Sequence, residues 1–273
     1  TEPTTIDALR ATLEESNLTL LVDTGLVDVD AISALLPLAR RAGAGIVRTT
    51  LSNILEGARA TIPGGWAAHQ AENVRRVAAL RPALEQHDMR LALENHQDVT
   101  SDDLLELCEA GGPRVGVTFD VVNPLAVGEE PFIFARKLGD RIFNVHLKDY
   151  TIVPTESGYL LVRAALGEGV IDWAAMRALL AEVAPAAPHH IELAALFARH
   201  IRLFEDGWWE GYPPRDAREL VPALRMMARN ARLANDPWQS PWEQGLPGNE
   251  VSMWELDQFA RSVQHLRSLE EQA

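Results

Sequence analysis

Residues 89–96, MRLALENH, form a short apolar run that ends abruptly on polar side chains. Leu91, Ala92 and Leu93 are the apolar part, and Glu94, Asn95 and His96 follow them directly. The same pattern returns three times: VGVTF at 115–119 ends on Asp120, IFNV at 142–145 ends on His146, and HI at 190–191 leads into Glu192. Such runs, closed by one acid or imidazole, are typical of strands buried on both faces of a parallel sheet.

The spacing of these four residues indicates a repeating unit. Glu94 and Asp120 are 26 residues apart, as are Asp120 and His146, whereas Glu192 follows His146 by 46. One strand with its crossover helix occupies about 30 residues. The first two intervals therefore predict single strand–helix repeats. The third predicts a repeat with an insertion, in which residues 150–153 and 159–163 form a hairpin around the turn PTESG.

The rest of the chain extends this alternation. We expect strands at 18–22 and 45–50, and no further strand after residue 194. Helices are predicted at 5–16, 31–42, 67–86 with a break at Pro82, from Thr100 or Ser101 to Gly111, at 132–138, after Asp172, at 216–233 and at 252–269. Six strands alternating with helices predict an α/β fold with a parallel sheet, a (β/α)8 TIM barrel that lacks its first strands in this chain.

The domain organisation follows from this count. We expect residues 1–198 to hold the third to eighth strands of the barrel, and about two strands and a helix to lie upstream of residue 1. Residues 199–273 are predicted to be a helical C-terminal extension that packs on the barrel or on a partner.

Composition narrows the functional classes. The chain has 273 residues, 47% of them hydrophobic, a formal net charge of -14 and one cysteine, Cys108, predicted to lie in the core. Such a negative charge disfavours nucleic acid as a partner. Because the sequence has neither an 18-residue apolar run nor the features of a signal peptide, we expect no membrane association and a cytoplasmic location.

In a parallel barrel the C-terminal ends of all strands face one mouth, so Glu94, Asp120, His146 and Glu192 should converge there. Each alone has another explanation: a strand-end acid often caps a helix, and a strand-end histidine is often a core residue. Four independent strand ends that all supply ligand-type residues favour a metal site. Three carboxylates and an imidazole suit Mn²⁺, Mg²⁺ or Co²⁺. A base beside a metal that holds an enediolate oxygen is the arrangement needed to remove a proton next to a carbonyl.

Several neighbouring residues have two interpretations each. His96 is either a second base or a surface histidine, and Asn123 either binds a sugar hydroxyl or caps a helix. Lys148 either neutralises an oxyanion or pairs with Asp149. The roles of Arg163 and Glu168 stay open, although both are predicted near the mouth. His189 and His190 are expected to be structural. The tryptophans of the C-terminal region either pack or form a lid or partner surface: Trp208, Trp209, Trp238 and Trp242.

The motifs LALENH, TFDVVN, NVHLKD, GEGVIDW and IEL, in this order over residues 5–193, resemble the xylose-isomerase-like TIM barrel superfamily and its sugar phosphate isomerase/epimerase family. The resemblance implies an eight-stranded barrel in which Glu94, Asp120, His146 and Glu192 bind a divalent metal, most often Mn²⁺. It also implies that Glu94 and Glu192 are the acid/base pair that moves protons on either side of the sugar carbonyl.

The sequence departs from the ketose 3-epimerases of that superfamily at two places. Asn123 stands where they typically have a histidine. They usually have an arginine soon after the metal histidine, whereas here the hairpin intervenes and Arg163 is a loose candidate for that position. A second branch, the C-glycoside deglycosidase catalytic subunits, cleaves 3-oxo-glycosides by deprotonation and β-elimination together with a smaller partner subunit. His96 and the tryptophan-rich C-terminal region fit that branch.

The leading hypothesis is therefore a metal-dependent isomerase or epimerase acting on a carbonyl sugar, with Glu94, Glu192, His96 and Lys148 as catalytic residues and Asn123 and Arg163 as substrate contacts. The alternative is a lyase that cleaves a 3-oxo-C- or O-glycoside. A third hypothesis, a non-catalytic sugar-binding subunit, would bind sugar tightly without metal. We expect a homo-oligomer or a complex with a smaller partner subunit.

Overall fold

The computed structural model describes residues 3–193, 197–233 and 237–271. Its centre is a six-stranded parallel sheet in the order β1-β2-β3-β4-β5-β8, curled into a half-barrel. The strands are β1 Val22–Leu26, β2 Ile46–Thr50, β3 Arg90–Glu94, β4 Val115–Asp120, β5 Ile142–Leu147 and β8 His189–Ile191. Helices cover its outer face, as burial of both faces of a parallel sheet requires. The α/β class and the TIM-barrel fold are confirmed.

The predicted start of β1 is wrong by four residues. Leu18 is exposed, and the strand instead includes the polar residues Asp23 and Thr24. Val22 pairs with Val47 and Asp23 with Arg48. The apolar run thus lies before this strand rather than within it, because β1 is an edge strand with little burial.

The helices of the barrel follow the sequence signals closely. They are α1 Pro3–Glu15, α2 Val29–Arg41, α3 Trp66–Ala79, α4 Arg81–Gln86, α5 Ser101–Gly111, α6 Pro131–Leu138 and α7 Trp173–Val183. The helix predicted at 67–86 is split where Pro82 stands in the first turn of α4. Thr100 and Asp103 form a capping box at the start of α5, and Asp172 caps α7. Cys108 is buried in the core on α5.

The insertion after β5 forms a second, smaller sheet. Its strands β6 Asp149–Thr155 and β7 Gly158–Ala164 make the predicted antiparallel hairpin. A third strand, β9 Arg199–Ile201, pairs with β7, so the expectation of no strand after residue 194 is wrong. A strand of three residues is too short to show an alternating pattern in the sequence. β9 forms because the edge of β7 has backbone groups available for pairing. The Cβ of any other residue at Gly158 would meet the carbonyl oxygen of Ile201.

The C-terminal region adds α8 Ala217–Asn230 and α9 Gly248–Glu271. α9 packs on the hairpin, where Arg163 Nε donates to Gln258 Oε1 at 2.9 Å and the hydroxyl of Ser262 accepts the Leu166 N–H. β9 belongs to the predicted extension yet shares a sheet with β7, so the two segments are joined by backbone pairing. In the described parts of the chain, no helix is both long and apolar enough to cross a bilayer.

The inner face of the curled sheet is layered along the strands. A small apolar cluster of Ile46, Ala92 and Phe143 lies toward the N-terminal ends. Buried Thr118 and Asn144 lie next to it, with the amide of Asn144 3.4 Å from the hydroxyl of Thr118. The inner face of the sheet therefore becomes more polar toward the C-terminal ends of the strands, where the candidate site lies.

Candidate metal centre

The register of the parallel sheet brings the predicted strand-end residues together. Asp120 at the end of β4 is paired with His146 on β5, and His146 is paired with His190 on β8. Glu94 ends β3 beside Thr118. Side chains two residues apart share a face of a strand, so Glu192, two residues after His190, is directed to the same side.

One ligand atom from each of Glu94, Asp120, His146 and Glu192 lies within 4.8 Å of the other three. His146 Nδ1 is 2.5 Å from Glu192 Oε2 and 3.3 Å from Glu94 Oε1. The Glu94 and Asp120 side chains are fully buried, whereas that of Glu192 is 27% exposed and marks the side open to solvent. The structure thus brings together the four residues that the sequence predicted to converge.

The donor atoms fit a hard divalent cation. Glu94 Oε1 and Asp120 Oδ1 are buried and accept no hydrogen bond from any residue that the structure describes. Burying a carboxylate oxygen without a partner is costly, because nothing replaces the water that it loses. A divalent cation among three carboxylates and an imidazole would satisfy these oxygens, and the set suits Mg²⁺, Mn²⁺ or Co²⁺.

Lys148 completes the cluster from the residue after β5. Its Nζ is 2.5 Å from Asp120 Oδ2 and 3.4 Å from Glu192 Oε1, so its predicted alternative pairing with Asp149 is wrong. Although burial works against its charge, the carboxylates of Asp120 and Glu192 raise the pKa of Lys148 above its ordinary value. Burial raises the pKa of Asp120 to about 6 against the influence of Lys148. Glu192 is shifted the other way: Lys148 and His146 outweigh its burial and hold its pKa low.

Arg48 is a site residue that the sequence reading missed. It is the third residue of β2, and its guanidinium forms ion pairs with Glu94 and, at 2.6 Å, with Asp23. The signal was present in the sequence as an arginine in the middle of a predicted buried strand. A charged residue there is rarely buried without a partner.

Two asparagines hold Asp120 in place. Asn95 bridges the ends of β3 and β4: its Nδ2 donates to the Asp120 carbonyl at 2.9 Å, and its Oδ1 accepts the Asp120 N–H at 2.6 Å. Asn123 Nδ2 donates to Asp120 Oδ2 at 2.8 Å. Such contacts orient a ligand and tune its basicity. Asn123 therefore lies at the site, and its Oδ1 accepts no hydrogen bond from a described residue.

His96 lies within electrostatic reach of the same cluster. Burial, together with the positive charges of Lys148, Arg48 and Arg199, lowers its pKa to about 4 against the opposite influence of Glu192. The imidazole is therefore neutral near pH 7. Arg199 comes from β9, which the sequence did not predict, so its approach to the site was missed as well.

Two residues predicted near the mouth are engaged elsewhere. Arg163 donates to Gln258 and pairs with Glu255 at 2.9 Å, and its guanidinium stacks 4.4 Å from the Trp254 ring of α9. The structure does not bring Arg163 to the cluster, because it faces α9 from β7. Glu168 pairs with Arg261 on the same helix.

The other singled-out residues have structural surroundings. His189 and His190 begin β8, where His190 is paired with the proposed ligand His146, and their structural role stays a prediction. Trp208 is buried and donates its indole N–H to the Glu56 carbonyl at 2.8 Å, and Trp209 stacks edge-on against it. These two side chains pack between β9 and the loop after β2.

Comparisons with known proteins agree with this architecture. The curated 3-oxo-isoapionate decarboxylase of Pectobacterium atrosepticum is 25% identical over 180 residues, which is 64% of this chain and 61% of that protein. The chain therefore spans about three fifths of that relative's length. A crystal structure of a D-tagatose 3-epimerase-like protein superposes with a TM-score of 0.56 at 16% identity, over 84% of this chain and 83% of the other.

A third similar protein is a xylose isomerase-like TIM barrel protein from Mycobacterium smegmatis, solved in complex with magnesium. It superposes with a TM-score of 0.54 at 18% identity, over 85% of this chain and 80% of the other. At such identities these two structures support the fold. The sequence model of the family described as "Xylose isomerase-like TIM barrel" matches residues 2–193, most of the chain and all six strands of the parallel sheet. The chain belongs to the xylose isomerase-like TIM barrel family.

Proposed function

We propose that the protein is a divalent-metal-dependent sugar isomerase or epimerase that removes a proton next to a sugar carbonyl. The observation that carries the proposal is the convergence of Glu94, Asp120, His146 and Glu192 at one end of the sheet. A bound Mn²⁺, or Mg²⁺ or Co²⁺ in its place, would act as a Lewis acid toward the substrate oxygens. The protein described as D-tagatose 3-epimerase-like shares the fold, which is compatible with this activity.

The acid/base roles fall to Glu94 and Glu192. Both lie beside His146 Nδ1, so a substrate bound between them would meet one carboxylate on each side. Glu94 is sealed from water and would hold its proton, whereas Glu192 is partly exposed and would exchange a proton with solvent. Lys148, in contact with Asp120 and Glu192, keeps these carboxylates ionised and is placed to stabilise a developing oxyanion.

The test is proton NMR in D₂O on a panel of ketoses with Mn²⁺-loaded enzyme, with the metal removed before spectra are read. We expect deuterium next to the carbonyl of the recovered or epimerised sugar. Glu94→Gln should abolish this exchange and keep the circular dichroism spectrum, because the amide is isosteric but is not a base. An exchanging Glu94→Gln enzyme would contradict the assigned role. Tight sugar binding without metal or exchange would instead indicate a non-catalytic binding subunit.

A lyase is the second candidate, and the position of His96 favours it. A neutral imidazole within reach of the cluster adds a base that simple epimerisation does not need. Cleavage of a 3-oxo-C- or O-glycoside by β-elimination passes through an enolate of the same kind, and so does loss of CO₂ from a 3-oxo acid. The relative named as a decarboxylase is consistent with this chemistry. Release of an aglycone or of CO₂, lost in His96→Ala, would favour the lyase.

The C-terminal segment 199–273 is the proposed contact region for a second copy or a smaller partner subunit. Three large apolar side chains of α9 are exposed: Met253, Leu256 and Phe259. Contiguous exposed apolar side chains often mark such surfaces. Light scattering of the wild type and of Leu256→Glu would show whether this surface holds copies of the chain together.

A further inference from the structure

We propose that the mouth of the metal centre recognises the carboxylate of a polyhydroxylated sugar acid, and that Arg199 is the residue that receives it, supported by Arg48 and Lys148. This inference rests on the proposed function for the location of the reacting carbon. It adds a substrate class, a sugar acid with a carbonyl, and a specificity-determining residue.

Arg199 is the first residue of β9, where it is paired with Leu161 of β7. The N–H of the next residue, His200, donates to Glu56 Oε1 at 3.1 Å, and the Glu56 N–H donates to Gln97 Oε1 at 3.0 Å. β9 is thereby held against the loops that follow β2 and β3. Those loops follow the strands that carry Arg48 and Glu94.

Arg199 has no ion-pair partner among the described residues. Its side chain is half-buried and forms no ion pair or side-chain hydrogen bond within the described ranges 3–193, 197–233 and 237–271. Arg202, three residues on, is by contrast paired with Glu56. The positive charge of Arg199 acts on two buried groups: it adds to the effect of burial that lowers the pKa of His96, and it opposes the effect of burial that raises the pKa of Tyr150. A guanidinium without an ion-pair partner gains from an anion, and its fork matches the two oxygens of a carboxylate.

The charges of the site nearly balance. The carboxylates of Glu94, Asp120 and Glu192 are paired with the cations of Arg48 and Lys148, and Arg199 adds a third positive charge from β9. Without a metal, these charges sum to zero. Asp23, which also pairs with Arg48, is not included in this sum because its side chain is exposed to solvent. A divalent cation would leave the site positive. A neutral sugar cannot balance such a site, whereas an anionic substrate or its enolate can.

Two side-chain oxygens near the site lack hydrogen-bond donors among the described residues. Asn123 Oδ1 and Asn144 Oδ1 are buried and accept no hydrogen bond from a described residue. Unpaired amide oxygens are complementary to hydroxyl donors. They favour a hydroxylated carbon chain beside the metal position. A bare short-chain acid would leave them unpaired.

The experiment is isothermal titration of Mg²⁺-loaded protein with D-gluconate and with D-glucitol, which has an alcohol in place of the carboxylate. We expect the wild type to bind the acid at least tenfold more tightly. Arg199→Gln should lose about tenfold of this preference, and Arg199→Lys, which keeps the charge, should lose less. Arg225→Gln, an exposed residue of α8, is the matched control and should bind as the wild type does. Since weak chelation of Mg²⁺ by gluconate is equal for all variants, it does not affect the comparison.

A wild type without preference for the acid, or an Arg199→Gln variant that is folded by circular dichroism and keeps the full preference, would overturn the proposal. Tighter binding of glucitol 6-phosphate than of gluconate would also overturn it, in favour of a phosphate site. Because the readout is binding, it is separate from the exchange test. Protein that prefers gluconate but catalyses no exchange supports this inference and defeats the proposed function; exchange without acid preference does the reverse.

Discussion

Arg48 and Glu94 form an ion pair between neighbouring strands, on the concave side of the half-barrel and almost out of contact with water. Arg48 faces Ala92 in the register of β2 and β3, and Glu94 is the next residue on the same face. A buried charge pair contributes little net stability, but breaking it exposes the remaining charge to an apolar environment. This pair therefore links the stability of the fold to the occupancy of the metal centre.

We predict that Arg48→Gln lowers the free energy of unfolding of metal-free protein by about 3 kcal/mol, because Glu94 loses its counter-charge. Added Mg²⁺ or Mn²⁺ should restore much of this loss, since a metal replaces the missing cation. The metal-induced rise in melting temperature should thus be larger in the variant than in the wild type, as measured by scanning calorimetry. Arg40→Gln, which removes an exposed pair with Asp88, should change neither value appreciably.

If Arg48→Gln gave the same metal-induced shift as the wild type, the link between the ion pair and the metal centre would be disproved. Asp120→Asn is the complementary variant. It keeps the shape of the site but removes a ligand charge, and it should abolish most of the metal-induced shift. Saturation at 100 times the dissociation constant stabilises a protein by about 2.7 kcal/mol, which calorimetry resolves easily.

Asn95→Ala should weaken metal binding by about 10- to 100-fold without removing any ligand. Asn95 makes two hydrogen bonds to the backbone of Asp120, so its loss lets the end of β4 move. Isothermal titration calorimetry with the metal gives the affinity directly. Wild-type affinity in a folded Asn95→Ala protein would show that Asn95 does not position Asp120.

Asp149→Asn should cost about 3 kcal/mol of stability, although Asp149 lies outside the proposed metal ligands. Its carboxylate accepts six N–H donors: those of Tyr150, Gly167, Gly169, Val170 and Ile171 and the indole of Trp173. An amide would turn an NH₂ group toward three of these donors. Urea unfolding measures the loss, and Trp173→Phe, which removes a single donor, should cost less. A loss below about 1 kcal/mol in Asp149→Asn would contradict the assigned role.

Asp98 should make stability depend on pH between about 4 and 6. Burial raises its pKa from 3.8 to about 6, against the hydrogen bond from Ser52. The folded protein then binds a proton that the unfolded chain has released. The contribution of Asp98 is therefore largest below pH 4 and is lost as the pH rises through 6.

Asp98→Asn should remove this dependence. Relative to the wild type, the variant should gain about 2 kcal/mol on going from pH 4.5 to pH 7, because its side chain does not titrate in this range. Urea unfolding of both proteins at the two pH values tests the prediction. Parallel changes in the two proteins would refute it.

The sequence was most informative where one local pattern sufficed. Helix ends at Thr100 and Asp172 and the break at Pro82 follow from capping and proline chemistry within a few residues. The strands that carry Glu94, Asp120 and His146 at or near their C-terminal ends are buried on both faces, so their apolar runs were unmistakable. Edge strands gave weaker signals: β1 was misplaced by four residues, and β9 was missed.

The sequence by itself determined the parallel α/β fold and the convergence of Glu94, Asp120, His146 and Glu192, because strand order and the period of two residues fix which side chains meet at the C-terminal edge. Only the tertiary structure decided which charges surround them. Arg48 reaches Glu94 across a strand pair, Lys148 reaches Asp120 rather than its neighbour Asp149, and Arg199 belongs to a three-residue strand that pairs with β7. These contacts join residues that are far apart in the chain. The partner of a long, flexible side chain depends on distances and on desolvation in the folded protein, and a local sequence pattern contains no information about either.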